Sequence, residues 1–264
     1  MASRLASGAQ LHYMPNGGNL GDALINAAAM QAFTRRGMSW RMLLGGREFM
    51  AEGDIAVHGG GGSLIERYEG ARATLRFMHT LGVPVVVLPQ TVRGADDFWN
   101  ELPPTTVFCR DRRSYDFMVR FAQHEVFLGH DLAVNLAVDL DPYTIAARYR
   151  AGLVAAGVTR GELRAFRGDD ESGDRSRIGD LDLSALGYPT MTDQSTVVGA
   201  AMSLLMMVAP FDTVTTDRLH VAIAGGLLGV PVTFFDNDYG KLSDVWALSM
   251  RDRFPTVLPA VTPE

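Results

Sequence analysis

An arginine and a histidine stand two residues apart in Thr216-Asp217-Arg218-Leu219-His220, where an apolar strand-like run passes straight into a helix-like one. The first turn of a helix offers backbone N–H groups and the positive end of the helix dipole. A guanidinium and an imidazole added there suit a phosphate or a carboxylate. The helix that follows is apolar through Ala222, Ile223, Ala224, Leu227 and Leu228, so a polar pair at its start needs a reason. The structural alternative is a histidine hydrogen-bonded in the core and an arginine paired with Asp217.

Four other segments combine glycines or charges with a strand end. Pro15-Asn16-Gly17-Gly18-Asn19-Leu20-Gly21-Asp22 lets the backbone turn and approach a ligand. Its spacing is not that of a dinucleotide fingerprint. Asp22 reads equally as a carboxylate that tightens a helix start and as a base toward a sugar hydroxyl, with Asn19 beside it on the acceptor side. His58-Gly59-Gly60-Gly61-Gly62-Ser63 follows a strand and is expected to open a helix, leaving bare backbone for substrate. Gly60 and Gly61 are then positions where substrate can meet the backbone, with His58 just before them. Against this, His58 reads more simply as a partly buried strand-end histidine and Ser63 as a helix N-cap. No lysine follows, so this is not a Walker loop. Arg110-Asp111-Arg112-Arg113-Ser114 is either a solvated cap or a source of positive potential for an anionic substrate. Arg167, where an alternating strand ends at Gly168-Asp169-Asp170-Glu171, could clamp an anion in fork geometry or pair internally with Asp169 or Glu171.

The elements that position these residues alternate short apolar runs with three-four-spaced helices, the pattern of an α/β protein with parallel sheets. Strands are expected at Gln10–Met14, Trp40–Leu44, Asp54–His58, Pro84–Leu88, Thr106–Cys109, Glu125–Leu128, Glu162–Phe166, Thr213–Thr216 and Val230–Phe235. Helices are expected at Leu20–Arg35, Ser63–Leu81, Arg113–Ala122, Tyr143–Ala156, Ser195–Val208, Leu219–Leu228 and Lys241–Met250. A polar stretch over 168–182 reads as a mobile loop. The expected organisation is two Rossmann-like lobes, 1–142 and 143–264, with ligand in an interlobe cleft.

Composition narrows the chemistry. With 264 residues and 47% hydrophobic content the chain can bury a full core. A net charge of −6 argues against a nucleic-acid surface. The single cysteine, Cys109, excludes an internal disulfide and thiolate zinc clusters, and reads as a small buried hydrophobe. No metal-ligand cluster stands out; Asp236, Asn237 and Asp238 read as turn residues. No metal and no cofactor are therefore expected. No secretory signal or membrane span is apparent, so a cytoplasmic protein is expected, with contact at the inner face of a membrane and homo-oligomerisation left open.

The ordered set of segments resembles the polysaccharide pyruvyltransferase family. It comprises Gly18-Asn19-Leu20-Gly21-Asp22-Ala23-Leu24-Ile25, the loop from Gly59 to Leu64, Val107-Phe108-Cys109-Arg110-Asp111 with Ser114, Phe166-Arg167-Gly168-Asp169-Asp170-Glu171, and Asp217-Arg218-Leu219-His220 with Ala222, Gly229 and Pro231. The resemblance implies a GT-B-like fold and transfer of pyruvate from phosphoenolpyruvate to a saccharide or lipid-linked saccharide as a ketal. It implies that Arg218, His220 and the Leu219 backbone hold the donor in the lobe 143–264, with Gly60 and Gly61 also donor-binding, and that Asn19, Asp22 and His58 in the lobe 1–142 face the acceptor. Arg167 supplies the other anion contact, with Arg164 as its substitute if the short element aligns two residues away. His220 and Asp22 are the catalytic candidates. A nucleotide-sugar glycosyltransferase of the same architecture and a non-catalytic binder of an anionic metabolite remain as alternatives.

Overall fold

The computed structural model describes residues 9–43, 50–169, 172, 174, 176, 179 and 181–260. The chain is an α/β protein in which every strand pairing among those residues is parallel. Seven strands form one sheet: β1 (Leu11–Met14), β2 (Trp40–Met42), β3 (Ile55–His58), β4 (Gly61–Ile65), β5 (Val85–Arg93), β6 (Thr106–Cys109) and β7 (Glu125–Leu128). Their order is β2-β1-β3-β5-β6-β7, with β4 also on β5. Its helices are α1 (Leu20–Arg35), α2 (Glu69–Thr80), α3 (Asp96–Glu101) and α4 (Arg112–Met118). A second sheet has the order β11-β10-β9-β8. It consists of β8 (Arg160–Ala165), β9 (Phe211–Thr216), β10 (Val232–Phe234) and β11 (Val257–Pro259). With it go α5 (Thr144–Ala156), α6 (Gln194–Val208), α7 (Leu219–Leu228) and α8 (Lys241–Val245), the last running into a π-helical turn over Trp246–Met250.

Two compact units result. Unit 1 comprises Met1–Asn16 and Ala29–Leu132, and unit 2 comprises Gly17–Ala28 and Ala133–Glu264. The boundary falls ahead of the expected 142/143, and the start of α1 counts with the C-terminal half. In unit 1 the residues of β3 are all buried and those of β5 nearly so, as parallel strands covered on both faces require. Leu75, Met78, Val87, Trp99, Val107, Cys109 and Met118 pack in one core cluster. In unit 2, α6 buries Val197, Ala200, Ala201, Leu204, Leu205 and Val208, the one-sided spacing of a core-facing helix. By contrast α7 is buried almost all round. Close approach holds it in place: a Cβ at Gly225 would lie 2.4 Å from Val232 Cγ2, and one at Gly226 2.6 Å from the Phe254 ring. The helix that begins at Arg218-Leu219-His220 is thereby wedged against β10 and the C-terminal segment.

The expected helix over Ser63–Leu81 is two elements. Gly61–Ile65 pairs with β5 through Gly61↔Gln90, Leu64↔Val92 and Ile65↔Arg93, and the helix begins only at Glu69. Pairing with a neighbouring strand overrides the apolar periodicity there. The strand expected to end at Leu88 continues to Arg93. Pro89, which has no N–H, is accommodated where the register shifts between Val87 and Gln90. The short elements α3 and β11 were not expected. Leu44 and part of the polar stretch 168–182, including Asp170 and Glu171, lie outside the described residues. Among the described residues no helix is long and apolar enough to cross a membrane.

Candidate functional site

Strands β8, β9 and β10 lie side by side in parallel, with Ala165 opposite Thr216 and Thr216 opposite Phe234. The residues that follow each strand therefore leave the same sheet edge, and Arg167 and Asp217-Arg218 meet there. Backbone bonds hold the junction: Thr216 Oγ1 donates to the Ala165 carbonyl at 2.6 Å and accepts from the Arg218 N–H at 2.9 Å. The Arg167 N–H donates to Asp217 Oδ1 at 2.7 Å. Arg218 is the extended N-cap residue of α7 and its side chain makes no cap bond, which leaves the guanidinium available for other partners.

Both guanidiniums converge on one carboxylate. Arg167 donates to Asp169 through Nε at 2.6 Å and Nη2 at 3.0 Å, and Arg218 Nη2 lies 3.0 Å from Asp169 Oδ2. Arg218 also grips Asp182, through Nε at 2.9 Å and Nη2 at 2.5 Å. The arginine side chains are only 5% and 7% exposed, whereas Asp169 is 45% and Asp182 18% exposed. This is a buried dication whose counter-charges sit at its outer side, and its bidentate forks match a carboxylate or phosphate. The internal Arg167–Asp169 pair, one of the two sequence readings of Arg167, is formed. Arg218 pairs with Asp182 and Asp169, not with Asp217. Arg164 is exposed, with its guanidinium 5.8 Å from the Phe166 ring centroid.

The start of α1 belongs to the same unit. Asn19 Oδ1 accepts from the Gly21 N–H at 2.8 Å, and Asp22 Oδ2 accepts from the Asn19 N–H at 3.0 Å. This reciprocal cap realises the structural reading of Asp22. The missing side chain of Gly21 makes room for His220: a Cβ there would lie 2.6 Å from His220 Nδ1 and 2.9 Å from His220 Cβ. Gly21, held by the Asn19–Asp22 cap, thus packs against His220 on the unit that carries Arg167 and Arg218.

His58, Gly60 and Gly61 belong to unit 1. His58 is 1% exposed and its Nδ1–H donates to the Gly59 carbonyl at 2.8 Å. Burial pushes its pKa down to about 4, so it is a neutral structural histidine at the strand end. Ser63 is not a helix N-cap. Its hydroxyl donates to Asn16 Oδ1 at 2.9 Å and its N–H to Gln90 Oε1 at 3.3 Å, while Gln90 Nε2 donates to the Gly59 carbonyl at 2.8 Å. These bonds tie the carboxyl ends of β1, β3 and β5 together.

Arg110–Ser114 bears out the cap and the exposure of Arg112 and Arg113, but Arg110 fits neither reading, because it is buried in an ion pair. Arg110 pairs with Asp131 at 2.7 Å, both side chains being 1% exposed, and its Nε donates to Thr91 Oγ1 at 2.9 Å. Asp111 caps α4 by accepting from the Ser114 N–H at 2.8 Å and also receives Arg93 at 2.9 Å. Cys109 is buried in the core and its thiol is pushed up to about 12, first by burial and then by Asp111.

No family model matches the chain, and no curated protein does. Among solved structures it is similar to a functionally uncharacterized protein from Klebsiella pneumoniae, with 27% identity and a TM-score of 0.80 over 99% of this chain and 95% of that one.

Asp182 is not singled out by the sequence, and Asp217 enters there only as a partner for Arg218. Buried arginines need counter-charges, and no periodicity singles out Asp182 as one of them. Asp236 and Asn237 behave as turn residues: Asp236 Oδ1 accepts from the Asn237 and Leu242 N–H groups at 2.9 and 3.0 Å, and Asn237 Oδ1 from Lys241 N–H at 2.8 Å. Among the described residues no group of three or more His, Cys, Asp or Glu could hold a metal ion.

Proposed function

We propose that this chain is a pyruvyltransferase of the polysaccharide class, moving pyruvate from phosphoenolpyruvate to a sugar as a ketal and releasing phosphate. The observation that carries this reading is the meeting of Arg167 and Arg218 on the Asp169 carboxylate. Phosphoenolpyruvate places a carboxylate and a phosphate on one three-carbon frame, and two forked cations a few ångströms apart answer that charge pattern. In this reading the donor takes the place of Asp169 and Asp182, with the Leu219 N–H in the first turn of α7 adding a backbone donor.

In the reaction a proton adds to the methylene carbon and one sugar hydroxyl attacks the adjacent carbon. A second hydroxyl then displaces phosphate. Of the two hydroxyl protons lost, one balances the new methyl group and the other leaves with phosphate. His220 is assigned as the acid, since it stands in the first turn of α7 two residues after Arg218 and Gly21 packs against its ring. Asn19 and Asp22 are assigned to the acceptor side because Gly21 packs against His220. His58 is not retained there, because its ring is closed off by burial.

Thermal shift tests the donor. A ligand bound only by the native state raises the melting temperature, so phosphoenolpyruvate is expected to do so and nucleotide sugars are not. The reverse result selects the glycosyltransferase alternative. His220→Ala is expected to lower turnover roughly 10²-fold with the fold retained. Binding of phosphoenolpyruvate without phosphate release, whatever acceptor is supplied, selects the non-catalytic alternative.

A further inference from the structure

Asp217 is 0% exposed. Its Oδ1 accepts from the Arg167 N–H, while its Oδ2 has no hydrogen-bond partner among the described residues. A buried polar atom left in that state needs a reason. We propose that Asp217 Oδ2 donates a hydrogen bond to the anion bound by Arg167 and Arg218. The inference rests on reading those arginines as an anion clamp, and it gives Asp217 a role toward the ligand itself.

The proton belongs on Oδ2. Burial raises the Asp217 pKa, opposed by the Arg167 N–H and then by the charges of Arg167 and Arg218. With Oδ1 already an acceptor, the neutral acid carries its hydrogen on the other oxygen. The positive charges of Arg167 and Arg218 act on Asp217, and guanidiniums accept nothing. An anionic oxygen placed on the arginines brings an acceptor to that O–H, and a hydrogen bond to a charged group is among the stronger ones. The ionised form would instead face the ligand with a like charge, so the site holds its anion when Asp217 is protonated. The charged and titratable groups around it are Arg167 after β8, Arg218 and His220 at the start of α7, and Asp169 and Asp182 on the arginines.

The test is calorimetric titration of the full chain with phosphoenolpyruvate, and separately with inorganic phosphate, for wild type, Asp217→Asn, Asp217→Ala and Arg218→Ala. Asparagine keeps the Oδ1 acceptor and places an N–H where the O–H stood. Asp217→Asn is therefore expected to bind within about threefold of wild type, and Asp217→Ala roughly 10- to 100-fold more weakly, as for a lost bond to a charged group. The ratio of wild-type to Asp217→Asn affinity removes the ligand's own ionisation, and it is expected to fall as pH rises through the pKa of Asp217. A ratio that stays flat with pH overturns the proposal, as does Asp217→Asn binding as poorly as the alanine variant. If Asp217→Ala does not fold, these two Asp217→Asn results decide. Loss of binding in Arg218→Ala with none in Asp217→Ala removes Asp217 and leaves the clamp. Absence of binding by wild type removes both.

Discussion

Each of the two sheets carries an arginine–aspartate cluster among the residues that follow its strands, and the two differ in which partner is buried. In unit 1, Arg110, Asp131 and Asp111 are all at most 1% exposed. Thr91, Ser114 and Arg93 complete their hydrogen bonds. In unit 2 the arginines are buried, but the carboxylates facing them are partly open to solvent. A closed network of satisfied charges specifies a fold; buried cations with replaceable counter-ions can exchange them for a ligand. Similar residue types at comparable places thus differ in what they can do, and exposure of the acid tells them apart.

The sharpest way to break the comparison is to remove a partner from the closed cluster. Arg110→Ala leaves Asp131 buried without its charge partner and is expected to cost about 3–5 kcal/mol, read as a lower midpoint in urea. An exposed-pair cost below about 1 kcal/mol would show that unit 1 is as open as unit 2. The closed edge also predicts acid sensitivity. His58 has its pKa depressed to about 4 by burial, so the unfolded chain takes up a proton near pH 6.5 and the folded one does not. Stability is then full above about pH 6.5 and falls towards pH 4 by on the order of 3 kcal/mol. His79 and His124, also lowered by burial, contribute in the same direction. His58→Asn, which can still donate to Gly59, should flatten part of that slope in melts across the range; an unchanged slope would assign the sensitivity elsewhere.

Much of this contrast was legible in the sequence. Strands such as Thr106–Cys109 and Glu125–Leu128, and helices such as Leu20–Arg35 and Leu219–Leu228, have the expected bounds because apolar runs and periodicity reflect burial directly. The spacing Asn19-x-x-Asp22 announces the cap that is formed. Ser63 was misread because glycines before apolar residues look like a helix start, whereas pairing with β5, set far away in sequence, decides its conformation. β11 is three residues long and ends on a proline, too short for any period. Arg167 and Arg218 could be found from their places at strand ends. Asp182 comes from a stretch without pattern, and the orphaned oxygen of Asp217 depends on packing in three dimensions.

A smaller effect is expected where α1 meets His220. Gly21→Ala places a methyl group against His220 Nδ1 and Cβ, and relief requires a shift of the ring or of the helix start, at about 1–3 kcal/mol. The proposed chemistry predicts that turnover falls more than phosphoenolpyruvate affinity, because the acid moves while the arginines stay. Equal losses in both would mean that the start of α1 supports the clamp as a whole.

The smallest effect expected is on the open side itself. Asp169 is nearly half exposed, so Asp169→Asn should change stability by less than about 1 kcal/mol. If its carboxylate stands where a ligand's would, an incoming anion no longer has to displace an ion pair in the variant. Affinity for phosphoenolpyruvate then rises, by up to about fivefold for a pair worth 1 kcal/mol. Asp182→Asn, which removes the second acid on Arg218, should act in the same direction. A weaker ligand complex in either variant would mean that the acid orients the arginines and is not their stand-in ligand, and the two clusters would then differ in exposure but not in purpose.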